Sequence, residues 1–370
     1  MAAALRLDTV QGLRATAALL VVVNHSVLTL IEKAGHDTAY QSVAWMLGSI
    51  GVKIFFLISG FIMTVAHHQD FGMHGAPTGF LRRRFMRIVP LYWLATAVYV
   101  IKINFQGAST PVADVLRSTA FIPYVNHAGI MEPVYGLGWT LNYEMFFYLL
   151  FAMALLLPLR IGLTALIAAL AAFVFAFKFD FIPLPEGAVA QILRYWGHPI
   201  VLYFAGGILI GLVRIRLDRL DRLLPIGIYG ALSASLLVLA AFITWLLLAR
   251  SAGTTFPMEA WFAVPPVAFC ALAADNPRGE LLRPLFRTLG DASYSIYLTH
   301  SFLLGVSGRI WARLFGPAHA GWFLLAMVVG CSFLGVVVYR LVEKPLLSAL
   351  RTGTYHQRLR ALLLPSRSRA

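Results

Sequence analysis

The stretch Gly12-Leu13-Arg14-Ala15-Thr16-Ala17-Ala18-Leu19-Leu20-Val21-Val22-Val23-Asn24-His25-Ser26 decides the fold, because it is an apolar helical pattern that contains two ionisable side chains. Arg14 and His25 are eleven residues apart, which is almost three turns of an α-helix. Both side chains are therefore expected on one helical face, roughly 16 Å apart along the axis. Ionisable groups at membrane depth are costly, so they indicate a functional site with partners on neighbouring helices.

The composition is that of a membrane protein. Of 370 residues, 59% are hydrophobic and only 12% are charged, and the mean hydropathy is +0.77. These values exclude an ordinary soluble domain. The net charge of +14 comes largely from arginines between apolar segments, where they set membrane topology, so no nucleic-acid partner is predicted. Cys270 and Cys331 lie in apolar segments, which argues against a disulfide framework or a zinc site.

Apolar runs long enough to cross a bilayer recur ten times, which predicts an all-α polytopic membrane protein of about ten transmembrane helices. The predicted spans are 10–31, 42–66, 85–103, 137–158, 160–178, 195–213, 224–249, 257–274, 292–314 and 320–342. We expect one transmembrane domain over residues 1–347 and a short basic tail over residues 348–370.

Basic residues are concentrated in alternate joints between these spans. They are Arg82, Arg83, Arg84 and Arg87, then Arg214, Arg216, Arg219 and Arg222, then Arg278, Arg283 and Arg287, and finally six residues of the tail from Lys344 onward. The positive-inside rule therefore predicts that both termini are cytoplasmic. The joint over 104–136 would face outward, and its Phe121-Ile122-Pro123 piece is apolar enough to dip back into the membrane.

Arg84 and Arg87 are neighbours at i and i+3. They can serve simply as a topology anchor, or the two guanidinium groups can fork onto a diphosphate.

Glu144 is an acidic residue well inside a predicted span, at a depth from the outer face similar to that of His25. A carboxylate hydrogen-bonded to an imidazole would fix its tautomer and raise its basicity, as in general-base and nucleophilic sites. The alternative is a structural buried ion pair.

Two further histidine-containing patterns remain. Ser293, Tyr297, His300 and Leu304 form one stripe of the ninth predicted span, where a histidine can also merely bond a backbone carbonyl. The loop over 67–74 has metal-ligand residue types without a regular spacing, so no metal is predicted there. Nucleotide-hydrolysis and hydrolase motifs are also lacking.

Several motifs together resemble the membrane-bound acyltransferase-3 family, and within it the bacterial exopolysaccharide O-acetyltransferase branch. They are Leu7-Asp8, Arg14 with His25, the glycine-rich segment over 48–61, Arg84-x-x-Arg87-Ile88-x-Pro90, Trp139 to Glu144, Ser293 to His300 and Val342-Glu343-Lys344-Pro345. The resemblance covers nearly the whole chain. Lys53 stands where such proteins often have Asp.

The resemblance implies an O-acyltransferase that moves an acyl group, usually acetyl from cytoplasmic acetyl-CoA, onto a hydroxyl of a cell-surface carbohydrate. The expected partners are acyl-CoA, a carbohydrate acceptor such as a lipid-linked exopolysaccharide repeat unit, and the lipid bilayer of the bacterial inner membrane. Acetyl-CoA would be a substrate, so no permanently bound cofactor is expected. We expect no fused hydrolase-like domain, so that the protein would act alone on its acceptor.

The residue pattern and the resemblance together predict a mechanism. Arg14, Arg84 and Arg87 would hold the CoA phosphates at the cytoplasmic side. His25 would either remove the proton from the sugar hydroxyl or carry the acetyl group itself, and Glu144 would orient it.

Tyr297 and His300 are predicted to contribute to substrate binding. Two other classes remain open at the level of sequence. In a transporter or flippase of lipid-linked saccharide precursors, His25, Glu144 and His300 would form a proton relay, although matching pairs of broken helices are lacking. A purely structural membrane subunit would leave the alignment of Arg14 with His25 unexplained.

Overall fold

The fold is all-helical over the residues that the computed structural model describes, which are 7–107, 109–126, 129–178, 182, 187–220, 223–224, 259–273 and 283–352. In these ranges the α-helices are α1 (Asp8–Ala34), α2 (Gln41–His67), α3 (Ala76–Phe105), α4 (Val112–Thr119), α5 (Trp139–Ala154), α6 (Leu159–Lys178), α7 (Ala188–Trp196), α8 (Leu202–Arg219), α9 (Glu259–Leu272), α10 (Arg283–Asp291), α11 (Ser293–Leu314), α12 (Ala320–Val338) and α13 (Lys344–Thr352).

Six stretches of these ranges are long and apolar enough to cross a membrane. They are Asp8–Ala34, Thr38–His67, Ala76–Phe105, Leu159–Phe177, Ala188–Arg219 and Ala320–Leu350. The chain is therefore a multi-pass helical membrane protein, as predicted. The count of ten spans stays a prediction, because the expected helix over 224–249 lies almost wholly outside the described residues.

The first two long helices pack closely because glycine removes side chains at their contact. A Cβ at Gly48 would lie 2.3 Å from the Asn24 side chain, and one at Gly51 would lie 2.6 Å from the Ala17 carbonyl oxygen. Close approach through small residues is typical of helix contacts in membranes. This contact fixes the rotation of α1 relative to α2.

The observed helices differ from the predicted spans at two places. Helix α3 begins at Ala76, so the arginines predicted to lie in a joint are in its first turns. The span predicted over 195–213 is instead divided between α7 and α8, with a short 3₁₀ turn over Pro199–Val201. Proline has no N–H and disfavours helical backbone at the preceding residue, which is extended at His198.

The helix ends that adjoin the predicted basic joints lie together at one end of the bundle. Asp8, at the start of α1, accepts hydrogen bonds from Arg283 and Arg287 of α10. Arg214 is buried near the end of α8, where it donates hydrogen bonds to carbonyl oxygens at the end of α9. Arg214 therefore caps α9 and does not extend into solvent as a topology anchor would. We name this end of the bundle the basic end.

The segment after α4 folds back onto α3. The Trp93 indole donates a 2.9 Å hydrogen bond to the Thr119 carbonyl oxygen, and the Phe121 ring packs on Tyr92 with 5.1 Å between centroids. Phe121 has a φ of 58°, which is uncommon for a residue other than glycine and turns the chain sharply. The predicted membrane re-entry of this segment stays a prediction.

Candidate active site

An internal cavity of about 130 Å³ lies between α1, α2, α3, α5 and α11. Its polar wall consists of Arg14, Ser59, Arg84, Arg87, Thr140, Glu144, Tyr148, Ser293, Tyr294 and Tyr297. Five of the seven residues predicted for the site are in this wall, although they come from four different helices. We call this space the inner cavity.

Arg84 of the inner cavity lies against two aromatic rings. The Arg84 guanidinium lies 5.6 Å from the Phe80 ring centroid and 5.9 Å from that of Tyr148. Its Nε is buried and has no hydrogen-bond partner among the described residues. By contrast, Arg82 and Arg83 are exposed on the outer face of the same helix. The i and i+3 spacing of Arg84 and Arg87 therefore places both on the inward face of the helix, whereas their neighbours Arg82 and Arg83 are exposed.

Glu144 is the acidic residue that lines the inner cavity in the described part of the chain. It accepts hydrogen bonds from Tyr148, one turn later on α5, and from Ser59 Oγ at 3.4 Å. The predicted hydrogen bond between Glu144 and His25 is wrong. Similar depth does not fix rotation about the helix axis, and Glu144 faces the arginine side of the cavity.

His25 contacts another histidine instead. Its Nδ1 lies 3.0 Å from His300 Nε2 and 3.1 Å from the Val21 carbonyl oxygen. His300 is fully buried, and its Nδ1 lies 3.2 Å from the Ile296 carbonyl oxygen. The predicted functional residues thus form two groups, one at the cavity and one at this histidine pair.

Tyr297 lies between the two groups. Its ring lines the inner cavity and also contacts His300, with 6.1 Å between ring centroids. Its hydroxyl group is 2.9 Å from Thr140 Oγ1 and donates to the Leu137 carbonyl oxygen at 3.0 Å. Tyr297 therefore forms part of the partition between the inner cavity and the histidine pair.

A second, larger cavity of about 430 Å³ opens at the basic end. Its walls contain Gln11, Arg14, Arg87, Asp291, Tyr339, Glu343, Lys344, Leu347 and Ser348. Because Arg14 and Arg87 line both cavities, the two spaces adjoin at these arginines. We call the second space the outer cavity.

Tyr148 and Glu343 are among the polar wall residues that sequence reasoning did not assign to the site. Tyr148 is four residues after Glu144, a spacing that places side chains together on a helix and could have identified it. Glu343 accepts a 2.5 Å hydrogen bond from Ser295 and lies in a π-helical turn over Tyr339–Glu343, which no sequence pattern predicts.

The remaining candidates lie elsewhere. The Lys53 ammonium group is 5.7 Å from the Tyr203 ring centroid, away from both cavities. His67 bonds Asp70 through Nδ1 at 2.6 Å. Among the described residues, no group of three or more His, Cys, Asp or Glu side chains is arranged to hold a metal ion.

Comparison with known proteins identifies similar sequences over most of the chain. A family model described as an acyltransferase domain matches residues 7–339. "Exopolysaccharide production protein ExoZ" of Rhizobium meliloti (strain 1021) is 32% identical over 85% of this chain and 92% of that protein. "Acyltransferase MdmB" of Streptomyces mycarofaciens is 28% identical over 93% of this chain and 92% of its own length. "Nodulation protein 10" of Rhizobium leguminosarum bv. viciae is 26% identical over 84% of each chain. No solved structure matches the chain.

Proposed function

Because the chain belongs to the acyltransferase-3 family, we propose that it transfers acetyl from cytoplasmic acetyl-CoA to a hydroxyl group of a cell-surface or exopolysaccharide sugar. A relative with 32% identity is named for exopolysaccharide production, and another is named an acyltransferase. Family membership favours group transfer over the transporter alternative, in which the arginines would be anchors only.

The observation that carries the donor assignment is the meeting of the two cavities at Arg14 and Arg87. Acetyl-CoA combines a multiply charged nucleotide with a long, nearly neutral pantetheine arm. The larger outer cavity suits the nucleotide, whose phosphates would be held by the guanidinium groups at the boundary between the cavities. The pantetheine arm would then enter the inner cavity past Arg84.

Glu144 has a different role in this proposal from the one predicted by sequence. The carboxylate faces a cavity whose wall carries three arginines, so it offsets part of their positive charge while no donor is bound. Its hydrogen bond from Tyr148 holds it beside the ring on which Arg84 lies. Glu144 therefore positions the phosphate-binding arginines and does not touch the transferred group.

His25 performs the acid–base chemistry in either of the two routes left open by the sequence. In direct transfer, its Nε2 takes the proton of the sugar hydroxyl while the oxygen attacks the thioester carbonyl, and the departing CoA thiolate then takes that proton. In the covalent route, Nε2 attacks the thioester first and CoA leaves as the thiolate; the sugar oxygen then attacks the acetyl-imidazolium, the bond between the acetyl group and Nε2 breaks, and the hydroxyl proton passes to the thiolate. Both routes yield one sugar ester and one free thiol.

The acetyl group must pass Tyr297 to reach His25. We place the basic end in the cytoplasm, where acetyl-CoA is found, and the joint over 104–136 on the outer side, where the acceptor would approach. Ten spans and two cytoplasmic termini in the bacterial inner membrane complete this arrangement, in agreement with the positive-inside rule.

The test is acetyl transfer by purified protein in vesicles that contain exopolysaccharide precursor as acceptor. Labelled acetyl-CoA should yield labelled carbohydrate, and His25→Ala protein should give at least about 10²-fold less. Labelled carbohydrate at equal rates with and without the protein would overturn the proposal.

A further inference from the structure

Three hydrogen-bonding contacts connect two helices through the histidine pair. They join Ile296 O to His300 Nδ1 at 3.2 Å, His300 Nε2 to His25 Nδ1 at 3.0 Å, and His25 Nδ1 to Val21 O at 3.1 Å. The two rings are tilted by 37° with 5.0 Å between their centroids. All of the ring nitrogens in the pair except His25 Nε2 take part in this chain.

Only one assignment of protons to two neutral imidazoles satisfies all three contacts. A carbonyl oxygen can only accept, so His300 Nδ1 must carry a proton to bond Ile296. A neutral imidazole has one N–H, and His300 Nε2 is then an acceptor. The proton between the rings therefore belongs to His25 Nδ1, which also faces the Val21 carbonyl oxygen.

The reverse assignment leaves both backbone contacts without a proton. If His300 Nε2 donated to His25, the lone pair of His300 Nδ1 would face the Ile296 carbonyl oxygen at 3.2 Å, and His25 Nδ1 would have no proton to donate to the Val21 carbonyl oxygen at 3.1 Å. The buried Nδ1 of His300 would then be an acceptor without a donor, which is unfavourable. The backbone of α1 and the backbone of α11 thus select the same tautomer.

We propose that His300 is a positioning residue that holds His25 in the tautomer with its proton on Nδ1 and a free lone pair on Nε2. This inference rests on the proposed function, because a base or nucleophile must present an unprotonated nitrogen to the substrate. His300 takes the place that sequence reasoning gave to Glu144. Unlike a carboxylate, it orients the ring without placing a negative charge beside it.

The packing around His300 suits such a role. The His300 side chain is fully buried, and the Cys331 thiol lies 4.0 Å from the backbone carbonyl oxygen of His300. Helix α11 also approaches α1 closely at Gly308, where a Cβ would lie 2.3 Å from Thr29 Cγ2. A buried ring between two closely packed helices has little freedom to rotate, so it can define the orientation of its partner.

The test compares His300→Gln with His300→Phe. Glutamine can place an oxygen acceptor near the position of Nε2, whereas phenylalanine keeps a ring of similar size and removes the acceptor. We expect His300→Phe to lower kcat by about 10²-fold or more, the scale of general-base contributions, with KM for acetyl-CoA unchanged. His300→Gln should recover most of this loss, and equal activity of all three proteins would overturn the proposal.

Nitrogen NMR of histidine-labelled wild-type protein in vesicles gives an independent answer, with the His25 signals identified by their absence from His25→Ala. We expect His25 Nδ1 to be protonated and Nε2 to be unprotonated. A proton on Nε2 would overturn the proposal even where the phenylalanine variant does not fold. If wild-type protein fails to transfer acetyl at all, the proposed function fails, while this tautomer remains measurable.

Discussion

Glu144 bonds Tyr148 on its own helix, and His25 bonds His300 on another, so the carboxylate and the imidazole that share a depth do not share a hydrogen bond. The proposed function thus divides these residues between donor binding and chemistry. Arg14 and Arg87 connect the two cavities, and Tyr297 lies between the cavities and the histidines. The residues of the cavity wall and those of the histidine pair can therefore be substituted independently.

Substitution of the inward arginines should weaken donor binding. Arg84→Ala or Arg87→Ala removes charge-assisted hydrogen bonds worth about 1.5–3 kcal/mol, so the Kd for acetyl-CoA should rise roughly 10- to 100-fold. Titration calorimetry or equilibrium dialysis measures this change. Arg82→Ala and Arg83→Ala are matched controls on the exposed face of α3, and an equal effect of all four substitutions would show that the arginines act only through net charge.

Glu144→Gln should leave transfer largely intact. The amide keeps the shape of the side chain but removes the negative charge that faces the arginines, so acetyl-CoA should bind at least as tightly as to wild-type protein. We expect kcat to fall less than tenfold, in contrast to the loss expected if Glu144 oriented His25. A fall of about 10⁴-fold in kcat, as when a carboxylate that orients a catalytic histidine is replaced, would restore the interpretation from sequence.

The ion pairs at the start of α1 should stabilise the fold. Asp8 is buried and accepts from both Arg283 and Arg287. Asp8→Ala leaves two guanidinium groups without this partner, and we expect a loss of about 1–3 kcal/mol in stability. Thermal melting in detergent measures the effect, with the exposed residue Asp218 replaced by Ala as control. Equal melting of the two variants would contradict a stabilising role for the buried pair.

Much of the fold was predictable because hydropathy and helical periodicity are local properties of a sequence. The same periodicity placed Arg84 and Arg87 on one face. The partner of His25 was not predictable, because depth in the membrane says nothing about rotation around a helix axis or about which helices are adjacent. That adjacency depends on Gly308 meeting Thr29, and on Gly48 meeting Asn24, contacts between residues far apart in sequence.

The topology makes a further prediction that can be checked without activity. Both native cysteines are buried, so an impermeant maleimide should label only introduced thiols. Ile130→Cys should react in intact spheroplasts, whereas Arg82→Cys should react only after the membrane is opened. Reaction of both variants from the same side would contradict the placement of the basic end in the cytoplasm.

His25→Ala is the most direct test of the chemistry. The side chain is not in the wall of either cavity, so the Kd for acetyl-CoA should stay within about twofold of wild type, while transfer should fall by roughly 10²- to 10⁴-fold, the range for loss of general acid–base catalysis. His319→Ala, in the turn before α12, is a matched control and should retain full activity.

Incubation of wild-type protein and His25→Ala with labelled acetyl-CoA and no acceptor then separates the two routes. Label retained on wild-type protein and absent from His25→Ala indicates an acetyl-imidazole, and label on neither indicates direct transfer. Near-normal transfer by His25→Ala would remove His25 from the mechanism, because alanine can neither accept the sugar proton nor carry the acetyl group.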